Sequence, residues 1–410
     1  MALLDTYRGL DRRIYVLGAA RAVNTMGFSI VMPFMAMYLV EQRGASGATY
    51  GGIYFLSGVC AAIGNAIAGE ASDRLGRRRV MLAALLLRAT NMVGLGVAVL
   101  QHASVLTLGL LIVVNGILRA LFDPVASAAV TELCPLECRT AAYGLQRIGV
   151  NLGWALGPAL GGTLAATFSY GTLFFAAAFG TLVAAAAVAR VADHGRPAPH
   201  VQVESISLTS IRETYRRSHA FFQYLALVFA GSIMTVQLFS TLSVFAKTEL
   251  HLTEQHIGLV YTVNGILVVL LQVPAVRFID EGGLGRALVF GPLLYTVAFL
   301  GIGAVSTFGG LALCVAVLTA GEVVFAPALS DMAAHLGDAR RLGRAFGLFG
   351  LMQQLGLSMG PLVGGTLYDH LRQHHLAMWG TISAGMAVIG VGYAAFARRH
   401  GFGYHSAPGE

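Results

Sequence analysis

Long apolar runs separated by short polar breaks make up most of the chain, and the length of those runs sets the first expectation. About 20 apolar residues suffice to carry a helix across a bilayer. Twelve such runs occur, at 14–40, 48–69, 80–100, 105–133, 140–168, 171–191, 219–247, 256–279, 285–306, 309–335, 342–370 and 376–397. Hydrocarbon offers the backbone no water to bond, so runs of this length are helices and the breaks are where the chain surfaces. The pattern predicts an all-α membrane protein with twelve transmembrane helices.

Composition narrows this further. Hydrophobic residues make up 56% of the 410 and charged residues 11%, which excludes a soluble globular domain. The 51 glycines fit helices packed closely on small residues. A net charge of +7 raises nucleic acid as a partner, but the arginines are spread over breaks and form no single patch. Arg12, Arg13, Arg74, Arg77 to Arg79, Arg139, Arg190, Arg286, Arg398 and Arg399 fall on one side of the predicted helices, with Arg8, Arg196, Arg212, Arg216, Arg217, Arg340 and Arg341. The other side has little beyond Arg43, Lys247 and Arg372. By the positive-inside rule both termini are cytoplasmic, and the expected location is a bacterial inner membrane, with no nucleic-acid partner. The polar stretch Met1 to Arg13 lacks a cleavage-type site, so the first run reads as a retained helix.

The chain repeats itself. Gly157-Pro158 and Gly161-Gly162-Thr163-Leu164 recur as Gly360-Pro361 and Gly364-Gly365-Thr366-Leu367, an offset of 203 that Pro124 and Pro327, Gly144 and Gly347, and Gly153 and Gly356 share. Earlier in each half, Gly51, Tyr54, Gly58, Asp73, Gly76 and Arg79 recur as Gly258, Tyr261, Gly265, Asp280, Gly283 and Arg286, an offset of 207. A shorter loop or helix end in the second half accounts for the change of four. The expected organisation is a six-helix bundle over 1–191, a cytoplasmic linker over 192–218, a second six-helix bundle over 219–399 and a tail over 400–410.

Between the second and third runs lies Gly69-Glu70-Ala71-Ser72-Asp73-Arg74-Leu75-Gly76-Arg77-Arg78-Arg79, too charged to lie in hydrocarbon. This G-x-x-[SA]-D-R-x-G-R-R pattern resembles the signature cytoplasmic loop of the major facilitator superfamily. The resemblance covers essentially the whole chain, Ile14 to Arg399, and implies two pseudo-symmetric bundles that rock about a midplane cavity. It implies a cytoplasmic gate at Gly69, Asp73, Arg74, Gly76 and Arg77, with Asp73 reaching a helix N-terminus of the other half. The fifth run, Gly153-Trp154-Ala155-Leu156-Gly157-Pro158-Ala159-Leu160-Gly161-Gly162, looks like the G-x3-G-P-x2-G-G signature of the drug:proton antiporter branch. Physically, glycines every four residues, Gly153, Gly157 and Gly161 and again Gly356, Gly360 and Gly364, let a facing helix approach, and Pro158 and Pro361 permit a kink.

Charges inside the runs locate the chemistry, because a charge at membrane depth is costly unless paired or wet. They are Arg21, Arg88, Arg119, Asp123, Arg147 and Glu322. Arg119 and Asp123 stand i,i+4 on one predicted helix, a spacing that allows an ion pair. Glu322 is the offset-203 equivalent of Arg119. Glu322, Asp123, Arg119 and Arg88 are the proton-coupling candidates. Cavity candidates are Arg21, Asn24, Tyr38, Tyr54, Phe122, Arg147, Asn151, Gln237, Tyr261, Asn264, Phe325, Gln353 and Gln354, whose aromatic and polar groups suit an amphipathic solute.

No phosphate-binding loop or H-E-x-x-H motif is present, and Cys134 and Cys138 lack the partners of a zinc site. Neither enzyme activity, cofactor nor metal is expected. The expected function is a monomeric secondary transporter moving a small amphipathic or lipophilic molecule by alternating access, as proton-coupled efflux of the multidrug type. The alternative is a proton symporter or facilitator for a polar metabolite, peptide or lipid.

Overall fold

The structure, a computed structural model, describes residues 10–134, 138–191, 218–337 and 342–401. The expected linker lies outside the described residues except for Ser218, as does the expected tail beyond Gly401. Arg8, Arg196, Arg212, Arg216, Arg217, Arg340 and Arg341 lie outside them too.

Among the described residues fourteen α-helices follow one another: α1 (Arg12–Met37), α2 (Gly47–Leu75), α3 (Arg77–Leu100), α4 (Val105–Ala120), α5 (Asp123–Leu133), α6 (Arg139–Thr167), α7 (Tyr170–Ala189), α8 (His219–Thr235), α9 (Thr241–Thr248), α10 (Glu254–Gly282), α11 (Leu284–Ala304), α12 (Phe308–Leu336), α13 (Leu342–Leu371) and α14 (His375–Arg399). Several begin where a hydroxyl stands ahead of the apolar run. Ser46, Ser104, Ser218 and Thr307 each accept from the amide three residues on, satisfying a donor the helix leaves open.

Eleven helices or helix pairs among the described residues are long and apolar enough to cross a membrane. α4 and α5 count as one crossing, as do α8 and α9. The expected twelfth is α6, 29 residues long, whose glycines, Asn151 and Pro158 dilute its apolarity. Large apolar side chains such as Leu106, Phe179, Val388 and Val391 point out of the packing, as helices bathed in lipid require.

Contacts divide the described helices into two compact units. One holds α1 to α7 and the stretch Ala246–Gly265; the other holds the chain from α8 to Phe245 and from Ile266 to α14. In the first, α1 packs most extensively on α6 and α3 on α7; in the second, α8 packs on α13 and α11 on α14 and α12. The stretch Ala246–Gly265 joins the first unit through glycine: a Cβ on Gly258 would lie 2.5 Å from the Pro158 carbonyl, and one on Gly265 2.5 Å from Ala155 Cα.

The glycine seams carry the repeat into three dimensions. A Cβ on Gly153, Gly157 or Gly161 would strike α1 at Ala22 and Thr25, at Ser29, or at Ile30 and Phe34. Gly356, Gly360 and Gly364 meet Phe229 and Ser232, Val236, and Gln237 and Thr241. The glycines are 203 apart and the residues they meet 207 apart, so both offsets hold at one interface. Each seam also has a cross-helix bond to a glycine carbonyl, Ser29 Oγ to Gly153 at 2.8 Å and Gln237 Nε2 to Gly360 at 2.9 Å. The four residues lost between the offsets come from α11, 21 residues against the 24 of α3, and from the loop that follows.

Candidate functional site

The second unit contains a cavity of about 170 Å³ among α8, α11, α12 and α13. Glu322, Tyr295, Phe325, Gln353, Ser232 and Thr235 are among its lining residues. Its shape follows from a break in α8. The helix tightens at Val236–Leu238, where Gln237 Nε2 donates to Ile233 at 2.7 Å as well as to Gly360, and Thr241 donates to Gln237 Oε1 at 2.5 Å. The Phe325 ring lies edge-on to Tyr295 at 6.4 Å and to Tyr393 at 5.4 Å, which fixes the aromatic wall beside Glu322. Of the sequence candidates, Glu322, Phe325 and Gln353 therefore share one cavity. Tyr295 was missed, although it stands 207 residues after Arg88 and the repeat pointed to it.

The first unit holds the cationic candidates. Arg88 is 1% exposed and its partners are neutral: Nη1 donates to Asn24 Oδ1 and Nε to Asn115 Oδ1 at 3.3 Å, while Nη2 is buried with no partner. Arg119 lies over the Phe28 ring, 4.8 Å from its centroid, and Phe28 meets Trp154 edge-on at 5.9 Å. Asp123 pairs with Arg21 at 3.5 Å, and Arg21 Nη1 also reaches Ser127 Oγ at 3.3 Å. The expected Arg119–Asp123 pair is thus not formed. A turn at Leu121 and Phe122 ends α4, and α5 starts at Asp123 ahead of Pro124, so the two residues do not share a helix. Tyr143 bonds Thr131, and Arg147, one turn further along α6, is exposed. Asn151 and Tyr54 are half-buried, Tyr54 with its ring 4.9 Å from Tyr50.

Three expected cavity walls are packing residues instead. Tyr38 is sealed, its hydroxyl donating to the Val99 carbonyl at 3.2 Å. Phe122 belongs to the hydrophobic core of the first unit. Gln237 is spent within the second glycine seam. Tyr261 and Asn264 are buried on the stretch of α10 that packs with the first unit, and Gln354 donates to Ser358 Oγ at 3.3 Å.

At the hinge, Gly76 has φ +91° with ψ 143°, a conformation essentially reserved for glycine, and Gly283 repeats it at φ +81°. Arg77 gathers the polar groups of this end, Asp73 at 2.6 Å, Glu132 at 3.0 Å and the Ser72 hydroxyl, while Ser72 donates to the Gly69 carbonyl at 2.9 Å. Arg74 pairs with Glu70 at 2.5 Å in the open. The contacts described for Asp73 and Arg77 all lie within the first unit. At the opposite end of that unit, Glu254 is held by Lys247 at 3.0 Å and by the Tyr170 hydroxyl at 2.8 Å. The sequence reading passed over this group, although Lys247 is the chain's one lysine.

The family model of the Major Facilitator Superfamily matches residues 17–253 and 225–403. The chain belongs to this superfamily. An uncharacterized MFS-type transporter, YhjO, of Bacillus subtilis is 27% identical over 340 residues, 82% of this chain and 81% of the relative. The multidrug resistance protein MdtH of Salmonella typhimurium is 26% identical over 377 residues, 90% and 89% of the two chains. Among solved structures, a D-xylose-proton symporter matches with TM-score 0.76 at 14% identity over 93% of this chain and 96% of its own. The nucleoside transporter NupG matches with TM-score 0.74 at 15% identity over 94% and 99%. At those identities the likeness is one of fold. As a member of the superfamily the protein is an integral membrane transporter of the twelve-helix fold, not an enzyme.

Proposed function

We propose that this superfamily member is a proton-coupled exporter of a small amphipathic solute, working by alternating access as a monomer with both termini in the cytoplasm of a bacterium. The observation that carries the reading is Glu322, a carboxylate at membrane depth lining a cavity whose other walls are aliphatic and aromatic side chains with the hydroxyls of Ser232, Thr235 and Tyr295 and the amide of Gln353. In such surroundings a carboxyl group holds a proton when dry and releases it when water or a cation arrives, which couples proton movement to changes of access. Asp123, held by Arg21, is the second protonation candidate, with Arg88 and Arg119 tuning it. The multidrug resistance proteins among the relatives support an amphipathic cargo and an outward direction. Asp73, Arg74 and Arg77 with Gly69 and Gly76 serve the cytoplasmic gate.

The test uses inverted vesicles energised with a proton gradient and a panel of anionic and cationic amphipathic dyes. Wild type accumulates at least one dye in a gradient-dependent manner, and Glu322→Gln reduces that accumulation by about tenfold or more, the scale on which a lost proton-transfer group acts. Coupled accumulation by the Gln variant at the wild-type level overturns the assignment of Glu322. Failure of every dye to move against its gradient overturns export.

A further inference from the structure

The residues that line the cavity in the second unit have counterparts in the first, and their chemistry is reversed. The two offsets map the cavity residues Gly231, Thr235, Tyr295, Glu322, Ala326 and Leu357 onto Asn24, Phe28, Arg88, Arg119, Asp123 and Trp154. The mapping is anchored in contacts, since both glycine seams meet their facing helices at these offsets. Where one copy has a glycine, a tyrosine and a carboxylate, the other has an asparagine and two arginines.

Among the described residues no carboxylate pairs with Arg88 or Arg119, and Asp123 is engaged by Arg21. A cation this buried costs several kcal/mol when its partners are neutral amides. The buried Nη2 of Arg88 is a charged donor with nothing to bond. Groups kept in that condition fit an anion that arrives from outside. Phe28 and Trp154, beside Arg119, add an apolar wall.

We propose that Arg88 and Arg119, with Asn24 and Asn115 holding Arg88 in place, form a binding site for the carboxylate head of an amphipathic anion whose apolar body lies against Phe28 and Trp154. The proposal rests on the transport reading above and names the cargo's charge: an organic monoanion, not the cationic amphipath that a lone Glu322 would favour.

The test is binding at equilibrium without a gradient, so that it is independent of coupling. Purified full-length protein is titrated with octanoate and, separately, with octylammonium, following tryptophan fluorescence and melting temperature. Trp154 is one of two tryptophans, and Trp379, the other, is fully buried in the second unit. Octanoate gives a saturable fluorescence change and raises the melting temperature by mass action, whereas octylammonium does neither. Arg119→Gln, at a half-buried position that tolerates exchange, weakens octanoate by about tenfold, the loss of one charge-assisted contact, and Arg119→Lys recovers part of it. An absent or unsaturable octanoate response, an equal response to octylammonium, or an Arg119→Gln variant with wild-type affinity overturns the site. Binding as predicted in a protein that moves no dye leaves the site standing and sinks export.

Discussion

Arg88 and Arg119 in the first unit and Tyr295 and Glu322 in the second occupy equivalent positions, and the contrast between them is the most informative feature of the molecule. The scaffolds match closely. Each copy has the same glycine seam, a bond from a facing side chain to the carbonyl of a seam glycine and the same positive-φ glycine at the hinge. The interiors do not match, one holding buried cationic side chains, the other carrying a carboxylate at an open cavity. Packing constraints held the seams in place while the residues they position were free to take opposite charge. On the reading proposed above, a duplicated fold thereby offers a site for a proton in one copy and a site for an anion in the other.

The sharpest way to break the comparison is at Asn24 and its equivalent Gly231. Asn24 is 3% exposed and its amide oxygen accepts from the buried Arg88 guanidinium. Asn24→Ala leaves that charge a single acceptor, Asn115 at 3.3 Å, and is expected to destabilise the protein by about 2–3 kcal/mol, the scale of a hydrogen bond to a buried charge. Gly231→Ala places a methyl no closer than 3.7 Å to Ile389 and gains helix propensity, so stability is unchanged or higher by up to about 1 kcal/mol. Melting temperatures of the two variants decide it. If both behave alike, Arg88 is not the strained cation described above.

What could be read from the chain beforehand follows the same division. The crossings, the hinge and the repeat were readable because hydrocarbon excludes polar backbone and because glycine seams admit few substitutes. Glu322 was found as a charge inside an apolar run, and Tyr295 lay one application of the 207 offset away from Arg88. Side-chain destinations were less accessible. Tyr38 and Gln237 look like cavity walls in one dimension, but each bonds a carbonyl of a neighbouring structure, Val99 and Gly360, that only the fold brings near. Arg119 and Asp123 look like an ion pair only if the helix continues past Pro124.

A second comparison lies within the hinge. Arg77 holds Asp73, Glu132 and Ser72 and has 21% of its side chain exposed, whereas Arg74 holds Glu70 with 75% exposed. Arg77→Ala frees three partners at once and is expected to cost about 1–2 kcal/mol, while Arg74→Ala stays within about 0.5 kcal/mol, as exposed pairs do. Denaturation of the two variants in matched detergent is the measurement. Equal losses contradict the view that this end of the first unit is organised around Arg77.

The smallest effect concerns the helix break itself. Pro124 and Pro327 are equivalent, yet α4 and α5 are separate helices while α12 runs unbroken through Pro327. Pro327 removes a backbone bond inside α12, whereas Pro124 stands in the first turn of α5 where none is lost, and the residues before the two prolines differ. Asp123 prefers a helix start, where its carboxylate meets the positive end of α5 and pairs with Arg21; Ala326 is the best helix former there is. Asp123→Ala exchanges a partly exposed pair and a dipole contact, together about 1 kcal/mol, for helix propensity, so net stability moves by less than about 1 kcal/mol. The readout is hydrogen exchange. The Phe122 amide, which bonds the Arg119 carbonyl at 3.3 Å, slows in Asp123→Ala as the helix closes, and amides around Phe325 quicken in Ala326→Asp as α12 opens. Should neither change, the break is imposed by the packing of Phe122 into its core and not by the carboxylate beside it.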